Sequence, residues 1–353
     1  MLLQVLNLAA ARFDEAVTSQ LVLRAPRSRG DMEVEALGHR ERMDVLRRVE
    51  QIYGRPEHYV AEGSFFSRPE AISPELRRVR RLRGGAVFDA TWASGFQPHL
   101  DEVTERYLGH RPNRLAAARL FLHDGPPRPV ALLVHGYRCG QFAIEERVWP
   151  IDWLYKGGFD VALPVLPFHA VRSTPGPALF PSNDPRLTIE GFRQSAHDLS
   201  ALVQLFLDRG APAVGVMGMS LGGYTSALLA TVDPRLAFVV PIIPLASLAS
   251  VVRDSGRLVG AEDEQRLQFD AIERAYWPVS PLARPARVAR ERILVIGAAG
   301  DRITPIEHAR RLSDHFDAPL EVFPGGHLLQ FGRAQGFRAA GRLLRKLGLL
   351  GRA

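Results

Sequence analysis

Short apolar runs alternate with longer amphipathic stretches along the chain from Gly84 onward. The runs are rich in β-branched residues and end at Gly or Pro, as strands do. The stretches between them have the apolar spacing of helices, and the clearest one covers 188–210. The predicted strands are GAVFDATW, RLAAARLFLHDG, PVALLVHGY, FDVALPVLPF, AVGVMGMS, FVVPIIPL, RILVIGAAG and LEVFPGG. Near-continuous apolar strands that alternate with helices predict an α/β fold, with a mostly parallel sheet and helices on both faces.

One segment, residues 245–290, interrupts this alternation. It lies between two predicted strands, has a charged and helical pattern, and is longer than a crossover between strands requires. We interpret it as a small helical cap above the carboxyl-terminal edge of the sheet. The chain closes with FRAAGRLLRKLGLL, a basic amphipathic helix that we expect to pack on the sheet, with membrane binding as the alternative.

Residues 1–83 show helical spacing, then charge-rich stretches and an arginine run, with no motif that we assign to chemistry. The apolar positions of the first helix are Leu3, Leu6, Ala10, Phe13 and Val17. Charged residues Arg12, Asp14 and Glu15 interrupt this apolar start, and no basic segment precedes it. It therefore predicts an amphipathic helix of the folded protein rather than a signal peptide or a membrane span, with attachment to a membrane surface as the alternative. We expect an N-terminal helical extension over 1–83 and one α/β domain over 84–353.

Of the 353 residues, 46% are hydrophobic, which is enough for one large domain or two modest ones with a sizeable core. The net charge of +7 comes from 45 basic and 38 acidic side chains, and the basic ones are almost all arginine. Acidic residues are mixed among them, whereas a nucleic-acid site needs a concentrated basic stripe with interleaved aromatic residues. The one dense run, from Arg77 to Arg83, is interpreted as a solvated helix face or linker rather than a patch for an anionic partner. No nucleic-acid partner is expected.

Cys139 is the only cysteine, so the chain cannot form an internal disulfide or a cysteine-based metal site. This fits a reducing compartment, and we expect a cytoplasmic protein. The sequence has neither a G-x-x-x-x-G-K-[ST] phosphate loop nor an H-E-x-x-H metal motif, so no cofactor or metal is expected. The number of subunits does not follow from any of these features.

One short motif carries a candidate nucleophile. Residues 218–222 form a G-x-S-x-G sequence, centred on Ser220, between a buried strand pattern and a helix pattern. This is typical of the nucleophile elbow, a turn that strains the serine while small neighbours let strand and helix approach closely. The Ser220 hydroxyl is expected above the sheet at the amino terminus of the helix, where developing negative charge is favoured. The alternative is a glycine-rich turn with an idle serine.

A serine hydroxyl needs a base to accept its proton, and the base needs an anion that fixes its tautomer. Both partners are expected later in the chain, with the acid before the histidine. Asp301 follows the predicted strand RILVIGAAG, and His327 follows LEVFPGG after two flexible glycines. We assign Asp301 as the acid and His327 as the base. The rivals His308 and His315 fall in a helical stretch and are interpreted as surface residues.

The negative oxygen of a tetrahedral intermediate needs backbone N–H donors. One is expected from Leu221, directly after the nucleophile, and the other from the loop that follows PVALLVHGY. By position the second donor is Tyr137, with Arg138 and Cys139 as alternatives. His135 is expected to shape this loop rather than to react.

Together these motifs resemble the α/β-hydrolase superfamily. The likeness rests on the His-Gly pair at 135–136, the elbow at 218–222, Asp301 ahead of Thr304-Pro305, and Gly-Gly-His at 325–327, in that order. It covers about residues 84–350, and it implies the α/β-hydrolase fold and the chemistry of a Ser-His-Asp triad.

A looser resemblance concerns LPVLPFHAVRSTPG, which is similar to a branch of α/β-hydrolase-domain proteins with Pro-Phe-His-x-x-Arg after the fourth strand. It implies that His169 and Arg172 lie near the mouth of the pocket. A structural role for the pair is the alternative.

The leading hypothesis is a serine hydrolase that cleaves a small-molecule carboxylic ester through a covalent acyl-enzyme. Two alternatives stay open: a thioesterase or lipid acyl hydrolase, and a non-catalytic protein of the same fold that binds an acyl ligand or a partner. Peptidases of the superfamily usually carry a large gating domain, and residues 1–83 and 245–290 are too short for one. Its dehalogenases have an aspartate where Ser220 stands, which disfavours that reaction.

Overall fold

Within the part of the chain that the structure describes, a nine-stranded sheet forms the centre of the protein. The structure is a computed structural model, and it describes residues 7–17, 29–60, 63, 65–176 and 179–351. The strands are β1 Glu75–Leu82, β2 Gly85–Ala93, β3 Leu115–His123, β4 Val130–Val134, β5 Asp160–Pro164, β6 Val214–Met219, β7 Val239–Ile242, β8 Val295–Ala298 and β9 Leu320–Phe323. Their order in the sheet is β1-β2-β3-β5-β4-β6-β7-β8-β9. The first three are antiparallel to their neighbours and the strands from β5 to β9 are parallel, which confirms the mostly parallel sheet.

Helices cover both faces of this sheet, as predicted. Residues 7–17 are helical and are called α1. The other helices are α2 Arg29–Glu35, α3 His39–Tyr53, α4 Glu57–Val60, α5 Asp101–Leu108, α6 Phe142–Val148, α7 Ile151–Lys156, α8 Pro185–Asp208, α9 Leu221–Val232, α10 Leu248–Asp254, α11 Glu262–Tyr276, α12 Ile306–Phe316 and α13 Arg333–Lys346. Alternate residues of β4 enter two cores because successive side chains of a strand point to opposite faces. Leu132 and Val134 pack in the core that holds residues of α8 and α9. Ala131 and Leu133 pack in the core that holds residues of α7 and α13.

The arginine run lies on a strand, so the expectation of a helix face or linker is wrong. β1 pairs antiparallel with β2 at the edge of the sheet, and all but the last of its residues are exposed. Arg77 reaches the carboxylate of Asp89 at 2.7 Å, and Arg80 reaches that of Glu146 at 2.6 Å. Because the strand is exposed on both faces, its sequence lacks the apolar and polar alternation that marks a half-buried strand. Charged side chains suit an edge strand, since they oppose pairing with another chain.

Helices from two distant parts of the chain pack together as one helical layer. α10 and α11 lie in the 245–290 insertion, where the sequence predicts helices, and α3 comes from the N-terminal extension. Gln268 on α11 bonds to His39 on α3 at 2.9 Å, between Nε2 and Nδ1. Arg274 and Glu50 form a second link between the two helices, with Nε and Oε2 3.2 Å apart. α3 therefore packs on the helices of the 245–290 insertion, a contact that the sequence does not indicate.

α1 is a helix, as predicted, but its packed face differs in part from the expected one. The buried residues are Ala10, Ala11 and Asp14. Phe13, expected on the packed face, is 43% exposed. Leu3 and Leu6 lie outside the described residues. None of the described helices is both long enough and apolar enough to cross a bilayer.

Candidate active site

Ser220 occupies a strained turn between β6 and α9. Its φ of 55° and ψ of −114° form a backbone conformation that residues with a side chain rarely adopt. Its N–H donates to the carbonyl oxygen of Ile242, at the end of β7, at 3.0 Å. The neighbouring strand therefore holds the turn, and the hydroxyl stands at the amino terminus of α9, where negative charge is favoured.

The glycines that flank Ser220 are required by close packing. A Cβ on Gly218 would lie 1.9 Å from the carbonyl oxygen of Gly222, and a Cβ on Gly222 would lie 2.1 Å from that of Val134 on β4. Since side chains and backbone atoms do not approach this closely, any larger residue would push β6, α9 and β4 apart. The G-x-S-x-G pattern thus follows from the steric demands of the turn.

Ser220, His327 and Asp301 lie in a line of hydrogen-bond contacts. His327 Nε2 is 2.9 Å from Ser220 Oγ, and His327 Nδ1 is 2.8 Å from Asp301 Oδ2. Asp301 follows β8 and His327 follows β9, so the carboxyl ends of neighbouring parallel strands bring both to the same edge of the sheet. His327 and Asp301 are buried, and Ser220 is half-buried. In the tautomer that satisfies both contacts, Nδ1–H donates to Asp301 and Nε2 accepts from the hydroxyl.

The Asp301 carboxylate is held by the turn that follows it. Its Oδ1 accepts hydrogen bonds from the N–H groups of Ile303 and Thr304, at 2.9 and 2.7 Å. The Thr304 hydroxyl lies 3.0 Å from Asp301 Oδ2 and 3.0 Å from the carbonyl oxygen of Ile243. These contacts fix the carboxylate with Oδ2 toward His327. The sequence points to Thr304 only through the resemblance to the superfamily. Its hydrogen bonds to the Asp301 carboxylate are seen only in the structure.

Leu221 and Tyr137, the residues predicted to supply the oxyanion donors, belong to the lining of the cavity at Ser220. Leu221 is the first residue of α9, so its N–H has no partner inside the helix. The loop after β4 passes close to the serine, because a Cβ on Gly136 would lie 3.5 Å from Ser220 Cβ. Tyr137, the next residue of this loop, lines the same cavity as Ser220 and Leu221. The N–H of the alternative donor Cys139 is already engaged with the carbonyl oxygen of Gly136 at 3.3 Å.

His135 ties this loop to the segment after β5. Its Nδ1–H donates to the carbonyl oxygen of Gly136 at 2.8 Å, and its Nε2 accepts from the N–H of Leu166 at 3.0 Å. Burial, together with the nearby His169, lowers the pKa of His135 to about 3. The imidazole is therefore neutral at pH 7, and both its nitrogens are used to shape the loop.

A cavity of about 280 Å³ opens beside Ser220. Its lining is mainly apolar and comes from α3, the start of α8 and the 245–290 insertion. Apolar residues of the lining include Leu46, Pro185, Leu245, Leu248, Ile272 and Tyr276. Polar groups also line it: Arg42 Nη1 donates to the carbonyl oxygen of Arg257 at 2.6 Å, and Arg257 Nη1 donates to Asn183 Oδ1 at 2.7 Å. The contribution of α3 was missed, because the spacing of its buried residues indicates only an amphipathic helix.

His169 and Arg172 are not among the described residues that line this cavity. Arg172 is 1% exposed, pairs with Asp198 on α8 at 2.8 Å and donates to the carbonyl oxygen of Val165 at 2.9 Å. His169 is buried, its Nδ1–H donates to the carbonyl oxygen of Pro167 at 2.8 Å, and burial lowers its pKa to about 4. The expected place of the pair at the pocket mouth is therefore wrong. The contacts support the alternative, a structural role for His169 and Arg172.

The rival histidines His308 and His315 form hydrogen bonds away from Ser220. His308 is buried, so the expectation of a surface position is wrong for it. Its Nδ1 accepts a hydrogen bond from the N–H of Ala246 at 3.1 Å, and burial lowers its pKa. It lies on the face of α12 that packs on the sheet, which explains its burial. His315 is exposed and its Nε2 is 2.8 Å from the carbonyl oxygen of Arg284.

The protein has the α/β-hydrolase fold. Three features define it: the strand order, the strained turn after β6 and the position of the three contacting side chains. Among solved structures, the chain is similar to acetyl xylan esterase 1 from Thermoanaerobacterium sp. JW/SL YS485, with a TM-score of 0.56 and 14% identity over 87% of this chain and 93% of that one. It is also similar to the acetyl xylan esterase from Paenibacillus sp. R4, with a TM-score of 0.55 and 14% identity over 93% of this chain and 98% of that one. At this identity the similarity concerns the fold.

By sequence, the chain is similar to the uncharacterized protein Rv2627c of Mycobacterium tuberculosis strain H37Rv. The two are 28% identical over 322 residues, which cover 89% of this chain and 77% of that protein. The uncharacterized protein MT2702 of strain CDC 1551 matches to the same extent. No family model matches the chain.

Proposed function

We propose that this protein is a serine hydrolase that cleaves carboxylic esters through a covalent acyl-enzyme. The observation that carries the proposal is the line of contacts from Ser220 Oγ through the His327 imidazole to the Asp301 carboxylate, at 2.9 and 2.8 Å. A base within reach of the hydroxyl, itself oriented by an anion, is the arrangement that makes serine a nucleophile. The fold shared with two proteins named acetyl xylan esterases also supports ester chemistry.

In the first half of the reaction, Ser220 Oγ attacks the ester carbonyl carbon while His327 Nε2 takes the hydroxyl proton. Asp301 stabilises the imidazolium that forms. The carbonyl oxygen becomes an oxyanion, and we assign its stabilisation to the N–H groups of Leu221 and Tyr137. The bond to the alcohol oxygen then breaks, the alcohol leaves with the proton from Nε2, and the acyl group stays on Ser220.

In the second half, His327 Nε2 takes a proton from a water molecule while the water oxygen attacks the acyl carbon. The same N–H groups hold the second oxyanion. The bond between the acyl carbon and Ser220 Oγ breaks, and Oγ recovers its proton from Nε2. The carboxylic acid is released and the starting state is restored.

The cavity beside Ser220 favours short to medium acyl groups. Its lining is mainly apolar, and about 280 Å³ is small among sites for small molecules. A thioester of the same acyl group would use the same cavity and the same steps, so thioesterase activity is the second candidate. An amide is a poorer substrate, because an amine needs more help from His327 as an acid than an alcohol does.

A fluorophosphonate probe, which reacts covalently with an activated serine, tests the proposal. The wild-type protein should be labelled, and Ser220→Ala should abolish labelling and turnover while the protein stays folded. Ser182→Ala is the matched control, since Ser182 is another serine that lines the cavity. Labelling that persists in Ser220→Ala, or that is lost in a folded Ser182→Ala, would contradict the assignment of the nucleophile.

A substrate panel then identifies the reaction. It consists of p-nitrophenyl esters from acetate to decanoate, with a thioester and an anilide of the best acyl group. The highest kcat/KM on an ester supports esterase activity, and the highest value on the thioester favours the second candidate. A clear preference for the anilide would favour a peptidase.

A further inference from the structure

α1 packs against the two loops that carry Asp301 and His327. Asn7 Oδ1 accepts a hydrogen bond from the N–H of Gly325, two residues before the histidine, at 2.8 Å. Asp14 lies two turns further along α1 and is 0% exposed. α1, from the opposite end of the sequence, therefore covers the loops that carry Asp301 and His327.

The Asp14 carboxylate binds the main chain of the proposed base. Its Oδ2 accepts from the N–H of His327 at 2.6 Å, and its Oδ1 accepts from the N–H of Leu328 at 3.0 Å. The N–H of Arg302, next to Asp301, also points to Oδ2 at 3.4 Å. Hydrogen bonds to a carboxylate are stronger than bonds between neutral groups, and burial removes competing water. One side chain thus ties both loops to α1.

Glycines leave the room that this contact needs. A Cβ on Gly326 would lie 2.4 Å from Asp14 Oδ2, and a Cβ on Gly300 would lie 2.7 Å from the carbonyl oxygen of Asn7. Gly325 has a φ of 106°, which residues with a side chain rarely adopt. The Gly-Gly pair of the Gly-Gly-His sequence therefore serves a turn and the close approach of α1, rather than flexibility.

We propose that Asp14 is a positioning residue of the active site, which fixes the main chain of His327 so that the imidazole stays between Ser220 and Asp301. This inference rests on the proposed function of these three residues. The side-chain contacts of His327 define the ring position only if its backbone is held, and Asp14 holds that backbone at the N–H groups of His327 and Leu328. A displacement of about 1 Å at a catalytic group costs about 100-fold in rate.

Asp14→Asn tests the proposal, and Glu15→Gln is its matched control. Asn keeps the shape of Asp but has one acceptor oxygen in place of two. Its NH₂ group, a donor, would face the N–H of either His327 or Leu328, also a donor, so one of the two hydrogen bonds is lost. Glu15 is exposed, and its Oε1 lies 3.6 Å from Nε of Arg302. Its substitution removes a charge from the same helix without touching the histidine loop.

We expect Asp14→Asn to lower kcat, per site titrated with the fluorophosphonate probe, by about 10- to 100-fold, with KM within about 2-fold of the wild-type value. Glu15→Gln should match the wild type in both. A merely structural role would lower the fraction of titratable sites and leave kcat per site unchanged. Hydrogen exchange of the backbone over 325–331 should be faster in Asp14→Asn than in the wild type or in Glu15→Gln.

If Asp14→Asn does not fold, Asn7→Ala replaces it. This change removes only the bond to the N–H of Gly325, and it should lower kcat per site by about 3- to 10-fold. A kcat per site equal to that of the wild type, or unchanged exchange over 325–331, overturns the inference. If the wild-type protein does not react with the probe, the proposed function fails, and the exchange comparison still decides whether Asp14 holds the loop.

Discussion

Asp301 and His327 share a contact 2.8 Å long, between Oδ2 and Nδ1. Since a carboxylate only accepts hydrogen bonds, the proton of the neutral imidazole must sit on Nδ1. Nε2 then keeps its lone pair free for the hydroxyl of Ser220. The carboxylate therefore selects the tautomer that can act as a base, in addition to holding the ring.

Asp301→Asn should lower kcat by about 10³- to 10⁴-fold, because the amide keeps the shape of the carboxylate but can present an N–H to Nδ1 and favour the wrong tautomer of His327. KM should change little. Steady-state kinetics on p-nitrophenyl butyrate measure both constants. Asp314→Asn is the control, since Asp314 is an exposed residue of α12. If Asp301→Asn costs no more than this control, the tautomer argument fails.

His327→Ala should remove nearly all turnover, whereas His308→Ala should leave kcat per active site unchanged. His308 is buried and accepts the N–H of Ala246, so its loss leaves a buried donor without a partner. We expect His308→Ala to lower the free energy of unfolding by about 1 to 3 kcal/mol. Urea unfolding and active-site titration separate the two effects. A loss of turnover in His308→Ala equal to that in His327→Ala, with stability unchanged, would mean that the base was misassigned.

The sequence predicts the sheet wherever a strand is buried on both faces, because such strands are continuous apolar runs. β4 and β6 are examples, with every residue buried. β1 could not be predicted in this way, since it lies at the edge and its arginines are exposed on both faces. The apolar pattern that identifies a strand arises from burial, so an exposed edge strand such as β1 does not show it.

The proposed catalytic residues could be identified because each belongs to a short motif next to a strand. Asp14 has no such motif. It contacts the N–H of a residue 313 positions later, and a carboxylate on an amphipathic helix is normally expected to face water. The cavity residues of α3 were missed for a similar reason. Periodicity indicates that one face of a helix is buried, but the partner of that face depends on tertiary packing.

The buried histidines His135 and His169 should make the protein sensitive to acid. Burial lowers their pKa values to about 3 and about 4, whereas an unfolded histidine has a pKa of about 6.5. Below about pH 6.5 the unfolded chain therefore binds protons that the folded protein does not, and the free energy of unfolding falls as the pH falls toward the folded values. Above about pH 7 both states are neutral at these histidines, and the stability from this source is fully present.

The expected loss is up to about 1.4 kcal/mol per pH unit for each histidine. Urea unfolding at about pH 7.5, 6 and 5 measures it. His169→Gln should make the dependence less steep, because one of the two groups is removed. A free energy of unfolding that stays constant over this range would contradict the argument.

Ile272→Trp should shift the substrate preference toward shorter acyl groups. Ile272 lies on α11, is 8% exposed and lines the cavity beside Ser220, so a larger side chain at this position takes space from the acyl chain. Loss of room for two or three methylenes, at about 0.8 kcal/mol each, costs about 2 kcal/mol, or roughly 30-fold in kcat/KM. The ratio of kcat/KM for p-nitrophenyl octanoate to that for the acetate should fall by this factor.

Leu267→Trp is the matched control for this change. Leu267 lies on the same helix but is 54% exposed and is not among the residues that line the cavity. The same indole at this position should leave the octanoate to acetate ratio unchanged, because it points to solvent rather than to the acyl chain. If both variants lower the ratio equally, or neither does, the acyl chain does not enter the cavity formed by α3 and α11.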